Sequence, residues 1–345
     1  MRTFIFIPPL RHLSGGLAVL YQIADQLHDL GYPVWLAPRA EGAPGLENCR
    51  APVMPWDDLH LTSADIWLVP EGWSNALAPG LRGQARCLVY VQNWAFLFSA
   101  LPEGVAWRDL AVSFLAVSDP VAWFVKKTLG QDAPILRPAL DLALFHPEAE
   151  LRPPAGKGLR IAWMPRKNKA LALQVQQIMA ARDRLPAPVT WVEIQNKTPA
   201  QVAQTLRSCH LFMATGFPEG LALPPLEAMA CGCLVAGCAG LGAWDYMRQA
   251  LPGGYLPLCP LPERPWAGGG AVDGASAGQC PGNAFVAADN DALGLALALE
   301  AAGDIALHQP ELYATLQQRG RATAEFYSAA NQRQAIAELW RSFGV

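Results

Sequence analysis

A chain of 345 residues with 52% hydrophobic and 16% charged residues carries enough apolar material for two ordinary cores, which excludes an intrinsically disordered protein. The formal net charge of −3 and pI near 6.1 lack the basic excess of a nucleic-acid binder. No apolar run reaches the roughly 18–20 residues of a membrane span, the N-terminus lacks the long apolar region of a signal peptide, and the eight scattered cysteines fit reduced, buried thiols of a cytoplasmic protein better than a disulfide framework.

In chain order, short β-rich runs alternate with amphipathic helices. Residues 2–7 form a strand candidate. Gly15-Gly16 then open a helix whose apolar positions Leu17, Leu20, Ile23, Ala24 and Leu27 follow helical spacing, and Gly31 ends it. Further strands are expected at 33–37, 65–69, 86–92 and 113–117. Ser118 is a good N-cap before Asp119-Pro120 and a helix that stops at Gly130. Residues 146–158 are polar and proline-rich and read as an interdomain linker.

The pattern then restarts. Strands are expected at 159–164, 189–194, 210–214 and 234–236, with helices at 169–182, from Thr198-Pro199 to about 208, and at 225–231. Residues 251–283 are rich in Gly and Pro and read as a long irregular loop. Helices are expected over 289–302, 310–326 and 331–343. The alternation implies parallel sheets covered by helices, in two copies of one architecture.

The segment Phe217-Pro-Glu-Gly-Leu-Ala-Leu-Pro-Pro-Leu-Glu-Ala-Met-Ala-Cys-Gly-Cys233 carries the most chemistry. Two carboxylates, Glu219 and Glu227, flank Pro224-Pro225 in otherwise apolar surroundings. Proline is favoured in the first turn of a helix, and a helix N-terminus attracts phosphate. The expected strand before it delivers the chain to the carboxyl edge of the sheet, where open α/β sheets bind ligands. Gly220 allows close backbone approach. A carboxylate is repelled by phosphate, so each glutamate has two readings. Glu227 is either an acid that complements the helix dipole or an acceptor for a ligand hydroxyl. Glu219 is either a solvated loop acid or such an acceptor. A nucleotide-sugar has hydroxyls at both ends of its diphosphate.

The run Glu219-Gly-Leu-Ala-Leu-Pro-Pro-Leu-Glu227-Ala-Met-Ala-Cys-Gly232 resembles the E-x7-E signature of retaining GT-B glycosyltransferases, specifically of family 4. Other segments are similar to that family in order: Gly15-Gly16 to its N-terminal glycine loop, Arg137-Pro-Ala-Leu-Asp141…Phe145-His-Pro147 to the segment before its linker, Arg166-Lys-Asn-Lys169 to its basic segment, and Tyr327-Ser328…Asn331 to the start of its last helix. The resemblance spans nearly the whole chain. It implies an α/β GT-B fold, two Rossmann-like domains with parallel sheets facing a central cleft. The domains would cover 1–150 on the acceptor side and 151–328 on the donor side, with a helix over 329–345 returning to the first.

The resemblance further implies transfer of a sugar from a nucleotide-diphosphate-sugar donor to an acceptor hydroxyl with retention. No metal or other cofactor is expected. The acceptor would be a glycan or a lipid-linked glycan of a bacterial surface polysaccharide or glycoconjugate, with peripheral contact at the inner membrane face. Glu219 would be catalytic and touch the transferred sugar. Glu227 would hold the ribose, Arg166 with Lys169 or Lys167 would hold the diphosphate, and Gly15, Gly16, Gly220 and Leu221 would complete the donor site. A phosphorylase-like enzyme and a non-catalytic nucleotide-sugar-binding subunit are the other implied classes.

Gln92-Asn93-Trp94 stand where many members carry a histidine, which makes Asn93 a candidate cleft residue. His12, in the loop before Gly15, is either a cleft residue or a plain loop histidine. The run 94–98 reads as core, acceptor-pocket lining or lipid contact. Cys231, Cys233 and Cys238 lack the second knuckle of a zinc site. The absence of Gly-x-Gly-x-x-Gly after the first strand argues against a dinucleotide-dependent dehydrogenase.

Overall fold

The computed structural model describes residues 1–250 and 282–344. In chain order the elements are β1 (Arg2–Ile7), α1 (Gly15–Asp29), β2 (Val34–Pro38), β3 (Asp65–Pro70), α2 (Ala78–Arg82), β4 (Arg86–Val91), β5 (Val112–Ala116), α3 (Asp119–Leu129), β6 (Leu159–Trp163), α4 (Lys169–Arg182), β7 (Val189–Glu193), α5 (Pro199–Arg207), β8 (Leu211–Ala214), α6 (Leu223–Ala230), β9 (Leu234–Cys238), β10 (Ala284–Ala287), α7 (Ala292–His308), α8 (Pro310–Phe326) and α9 (Ala329–Ser342). The chain forms two compact units, Met1–Ala139 with Ala329–Val345, and Leu140–Ser328.

The first unit is built on a five-stranded parallel sheet in the order β2-β1-β3-β4-β5. Its strands are almost wholly apolar because helices cover both faces; β3 is buried along its entire length. Ser14 caps α1 by accepting a hydrogen bond from the Leu17 amide at 3.2 Å. Gly31 (φ 81°) closes its C-terminus in the left-handed region. Helix α9 packs beside α1, and its Trp340 donates Nε1–H to the Thr3 hydroxyl at 2.8 Å in the core of the unit. At the amino edge of the sheet the buried Asp65 accepts from Arg2 at 2.8 Å.

The second unit repeats the topology with the order β10-β9-β8-β6-β7. Its core gathers Ile161, Trp163, Val175, Met213, Phe285 and Leu299 between β6, β8, β10, α4 and α7. Thr198 and Gln201 form a capping box at α5. Leu140 donates its amide to the carbonyl of Tyr327, just past the end of α8, at 2.7 Å, so the second unit begins at residue 140, before the proline-rich stretch.

The parallel α/β class expected from the alternation holds, and most elements fall within two residues of their sequence positions. Four points differ. Helix α7 runs Ala292–His308 rather than 289–302, with Asp291 as its N-cap. Helix α6 starts at Leu223 rather than 225, because proline is tolerated throughout the first helical turn. The four-residue β10 was not expected; Ala284-Phe-Val-Ala follows a Gly/Pro-rich run and is too short for a periodic signal. The five-residue α2 contains Pro79-Gly80 and reads as a turn. The irregular loop expected over 251–283 lies outside the described residues except for its last two positions.

Candidate functional site

In both sheets the first strand in chain order sits between the second and the third. Successive connections therefore leave β1 and β3, and likewise β6 and β8, in opposite directions. A crevice opens at the carboxyl ends of each such pair, the place where open α/β sheets bind ligands.

In the second unit this crevice is a recess lined by Met164, Arg166 and Lys167 after β6, by Phe212–Gly216 and Glu219 along and after β8, and by Pro224-Pro225 of α6. Lys167 Nζ lies 2.6 Å from Glu219 Oε1. Several local bonds fix this pair. Asn168, in the left-handed region at φ 54°, turns the chain into α4 and donates Nδ2–H to the carbonyls of Thr215 (2.7 Å) and Phe217 (3.0 Å). Thr215 Oγ1 donates to the Lys167 carbonyl at 3.2 Å. These bonds zip the loop after β6 to the loop after β8. The Glu219 amide donates to the Gly240 carbonyl (3.1 Å) and its carbonyl accepts from the Gly242 amide (3.0 Å). Leu241 between them holds φ 68°, ψ −59°, a conformation costly for a side-chain-bearing residue and concentrated at functional sites. A Cβ on Gly242 would strike the Gly220 carbonyl. Asp289 accepts from the Gly240 amide at 3.0 Å and supports the same turn.

Helix α6 begins beside this pair. Four amides at a helix start lack helical partners, but here two of those positions are Pro224 and Pro225, so only Ala222 and Leu223 offer N–H groups. Tyr246 is buried and donates its hydroxyl to the Ala222 carbonyl at 2.6 Å, tethering the helix start. Its phenol is raised well above its ordinary value, first by burial and then by the charges of Glu219, Asp245 and Glu227; it stands within the field of both glutamates. Glu227 is in the second turn of α6, which has no acid in its first. The dipole-complementing reading therefore fails on position, because that effect fades beyond the first turn. Burial pushes the Glu227 carboxyl up to about 7. Among the described residues no side chain or amide bonds to it, although carboxylates removed from water are normally answered by a partner.

The sequence-selected residues of this unit thus divide. Arg166 and Glu219 line the recess, joined by Lys167; Glu227 lies farther along α6. Lys169 is exposed at the start of α4, outside the recess lining. Gly220 and Leu221 are buried in the connection to α6. Asn168, Tyr246 and Asp289 were not singled out, since single polar residues outside a motif leave no sequence signal. Cys231, Cys233 and Cys238 are buried free thiols. Their Sγ atoms face the carbonyls of Ala203, Leu206 and Ala288, and burial pushes Cys231 and Cys238 up to about 12.

In the first unit the corresponding crevice is bordered by the loop 8–14, the start of α1 and the residues after β3 and β4. His12 and Gly15 are exposed and Gly16 is half-buried. Gln92 Nε2 donates to the Gly16 carbonyl at 3.1 Å, and a Cβ on Gly16 would strike the Gln92 side chain. Glu71, immediately after β3, is only 5% exposed. Its two carboxylate oxygens accept from the amides of Gln92 (2.9 Å) and Asn93 (2.8 Å). Burial raises it to about 7 against the opposing pull of the Gln92 amide, its own amide and the Asn93 amide. Asn93 is buried and accepts from the Ala95 amide at 3.1 Å, capping the turn Trp94–Phe96. In the run after it Leu97 is buried, whereas Phe96 and Phe98 are 53% and 47% exposed. Glu71 was missed in the sequence because Glu71-Gly72 after an apolar strand reads as an ordinary turn.

Two parallel five-stranded sheets of this topology, each with helices, make a GT-B fold. The chain superposes over 99% of its length on sucrose-phosphate synthase from Thermosynechococcus elongatus, covering 99% of that chain with TM-score 0.67 and 14% identity. It matches Anabaena HepE in complex with UDP and glucose over 99% of this chain and 100% of that one, TM-score 0.64 at 14% identity. A glycosyltransferase from Rickettsia africae matches with TM-score 0.66, 12% identity and coverage of 99% and 98%. No family model matches the sequence, and no curated protein matches it. Among the described residues no helix is long and apolar enough to cross a membrane.

Proposed function

We propose that the protein transfers a sugar from a nucleotide-diphosphate-sugar donor to an acceptor hydroxyl, with retention at the anomeric carbon. The observation that carries this reading is the arrangement in the second unit: two cations, Arg166 and Lys167, and the carboxylate of Glu219 at the recess, the start of α6 beside them, and Glu227 farther along α6 with no bonding partner among the described residues. The similarity to HepE, solved with UDP and glucose, supports the same ligand class.

The chemistry follows from charge. As the glycosidic bond breaks, negative charge grows on the leaving diphosphate. Arg166, Lys167 and the amides of Ala222 and Leu223 are fixed positive groups that stabilise it, the kind of preorganised electrostatics that dominates enzyme catalysis. Glu219 accepts from hydroxyls of the transferred sugar, and Glu227 from the ribose diol. Diphosphate arrival turns Lys167 from its bond with Glu219 toward phosphate and frees Glu219 for the sugar. Lys167 takes the role that the family resemblance left open between two lysines. Catalysis rests on positioning and leaving-group stabilisation, with no resident metal. The acceptor is a glycan or lipid-linked glycan, in bacterial surface polysaccharide or glycoconjugate assembly in the cytoplasm.

A thermal-shift panel of UDP, GDP, dTDP and ADP with their glucose conjugates tests the donor class, because a ligand that binds only the folded state raises Tm by mass action. One of the four families is expected to raise Tm by several degrees. The anomeric configuration of the product, read by NMR, tests retention. No stabilisation by any nucleotide would overturn the reading.

A further inference from the structure

Burying a carboxylate is costly unless its charge is answered. Glu71 is nearly inaccessible, and among the described residues its side chain meets no cation. Its partners are the backbone amides of Gln92 and Asn93, one to each oxygen. A structural filler at this place would more cheaply be apolar. What the carboxylate achieves is geometric: both oxygens reach consecutive amides of one loop and fix its backbone at the carboxyl end of β4.

The consequence extends past that loop. Gln92, whose amide Glu71 holds, sends its side chain to the Gly16 carbonyl at 3.1 Å. Residue 16 must lack a side chain for Gln92 to lie there. Asn93, whose amide Glu71 also holds, caps the turn that displays Phe96 and Phe98. One acid after β3 therefore ties together the start of α1 and the loop after β4, the two borders of the first unit's crevice. Both oxygens accept from backbone amides, which fixes the orientation of the carboxyl group.

Resting on the glycosyl-transfer reading, we propose that Glu71 is a positioning residue that sets the geometry of the first unit's crevice through Gln92, Asn93 and Gly16. Glu71→Gln keeps the shape but replaces one acceptor by an NH2 donor, which faces an amide N–H it cannot bond. Two measurements on the full chain test the proposal. The first is amide hydrogen exchange. Glu71→Gln is expected to speed exchange at residues 92–93 and 15–18 while leaving β1, β3 and the second unit unchanged. The second is release of nucleoside diphosphate to water from UDP-, GDP-, dTDP- and ADP-glucose. A misplacement of about 1 Å costs roughly 10²-fold in rate, so kcat should fall by one to two orders of magnitude on that scale. The donor KM should stay within about threefold, because the donor groups belong to the second unit.

A merely structural role would lower protection across the whole first unit and reduce the amount of folded enzyme without splitting kcat from KM; that result overturns the proposal. Unchanged exchange at 92–93 and 15–18 overturns it as well. The variant Gln92→Leu, which keeps the two amide bonds to Glu71 but cannot reach Gly16, should speed exchange at 15–18 alone; protection unchanged there breaks the link to Gly16. A wild-type protein that neither releases diphosphate from the four donors nor is stabilised by any of their nucleotides would sink the glycosyl-transfer reading, while the exchange arm would still decide whether Glu71 holds the loop.

Discussion

The two crevices share a topology and differ in chemistry. Each lies where the first and third strands of its sheet part, and each unit has a glutamate raised to about 7 by burial, Glu71 nearly inaccessible and Glu227 half-buried on α6. Glu71 has both oxygens engaged by backbone amides. Glu227 has no bonding partner among the described residues. The second unit adds two cations and a second acid to its crevice, whereas the first offers glycines, amides and exposed aromatic rings. A similar upward shift thus accompanies opposite situations: in one unit both oxygens of the acid bond to backbone amides, in the other the acid, half-buried, has no bonding partner among the described residues.

The sharpest way to break this comparison is to remove the acids of the second crevice. Glu219→Ala with Glu227→Ala should lower nucleoside-diphosphate release by about 10³-fold, on the scale of lost transition-state contacts, with Tm within a few degrees of wild type. Full activity in the double variant would end the assignment of binding to this unit. Next in size is the lysine comparison. Lys167→Ala should cost roughly 10–100-fold in kcat/KM, in line with loss of a charged contact of about 1.5–3 kcal/mol. Lys169→Ala, on the exposed start of α4, should stay within about twofold, a change of only ~0.4 kcal/mol. Equal losses would show that the recess does not discriminate the two.

A smaller effect concerns pH. The folded-state carboxyl of Glu227 lies at about 7 against an ordinary 4.5, so the folded protein holds that proton more tightly than the unfolded chain. Its stabilising contribution is complete below about 4.5 and is lost as pH rises through 7. Glu227→Gln should therefore match wild type in Tm near pH 4 and exceed it by a few degrees at pH 8. A pH-independent difference would mean that the carboxyl has a partner or is open to water. The smallest effects belong to the glycines of the first crevice. Gly15→Ala meets open space and should stabilise by about 0.5 kcal/mol through helix propensity. Gly16→Ala must push the end of the Gln92 side chain away and should destabilise by about 1 kcal/mol, the worth of a typical hydrogen bond. Urea unfolding curves would measure both.

Much of this was legible in the residues themselves. The alternation of apolar strand runs with capped helices determined the parallel α/β class, because burial on both faces of a sheet leaves a continuous apolar signature. Ser118, Thr198 and Gly31 marked helix ends because capping depends on the local residue. Glu219, Glu227 and the two prolines stood out because charge and proline are conspicuous in an apolar segment, whereas their roles, and Arg166 altogether, came from the family resemblance.

Which lysine faces Glu219 was not legible, since Lys167 and Lys169 differ only by where the turn at Asn168 points them, and that turn is held by carbonyls 47 and 49 residues away in sequence. Nor was Glu71, whose partners lie 21 and 22 residues ahead of it. The sequence by itself determined the parallel α/β class and most of the elements, because these follow from local propensity and apolar patterning. Only the tertiary structure decided that Glu71 is held by two amides while Glu227 meets no bonding partner among the described residues, because hydrogen-bond satisfaction depends on what distant segments bring to a group.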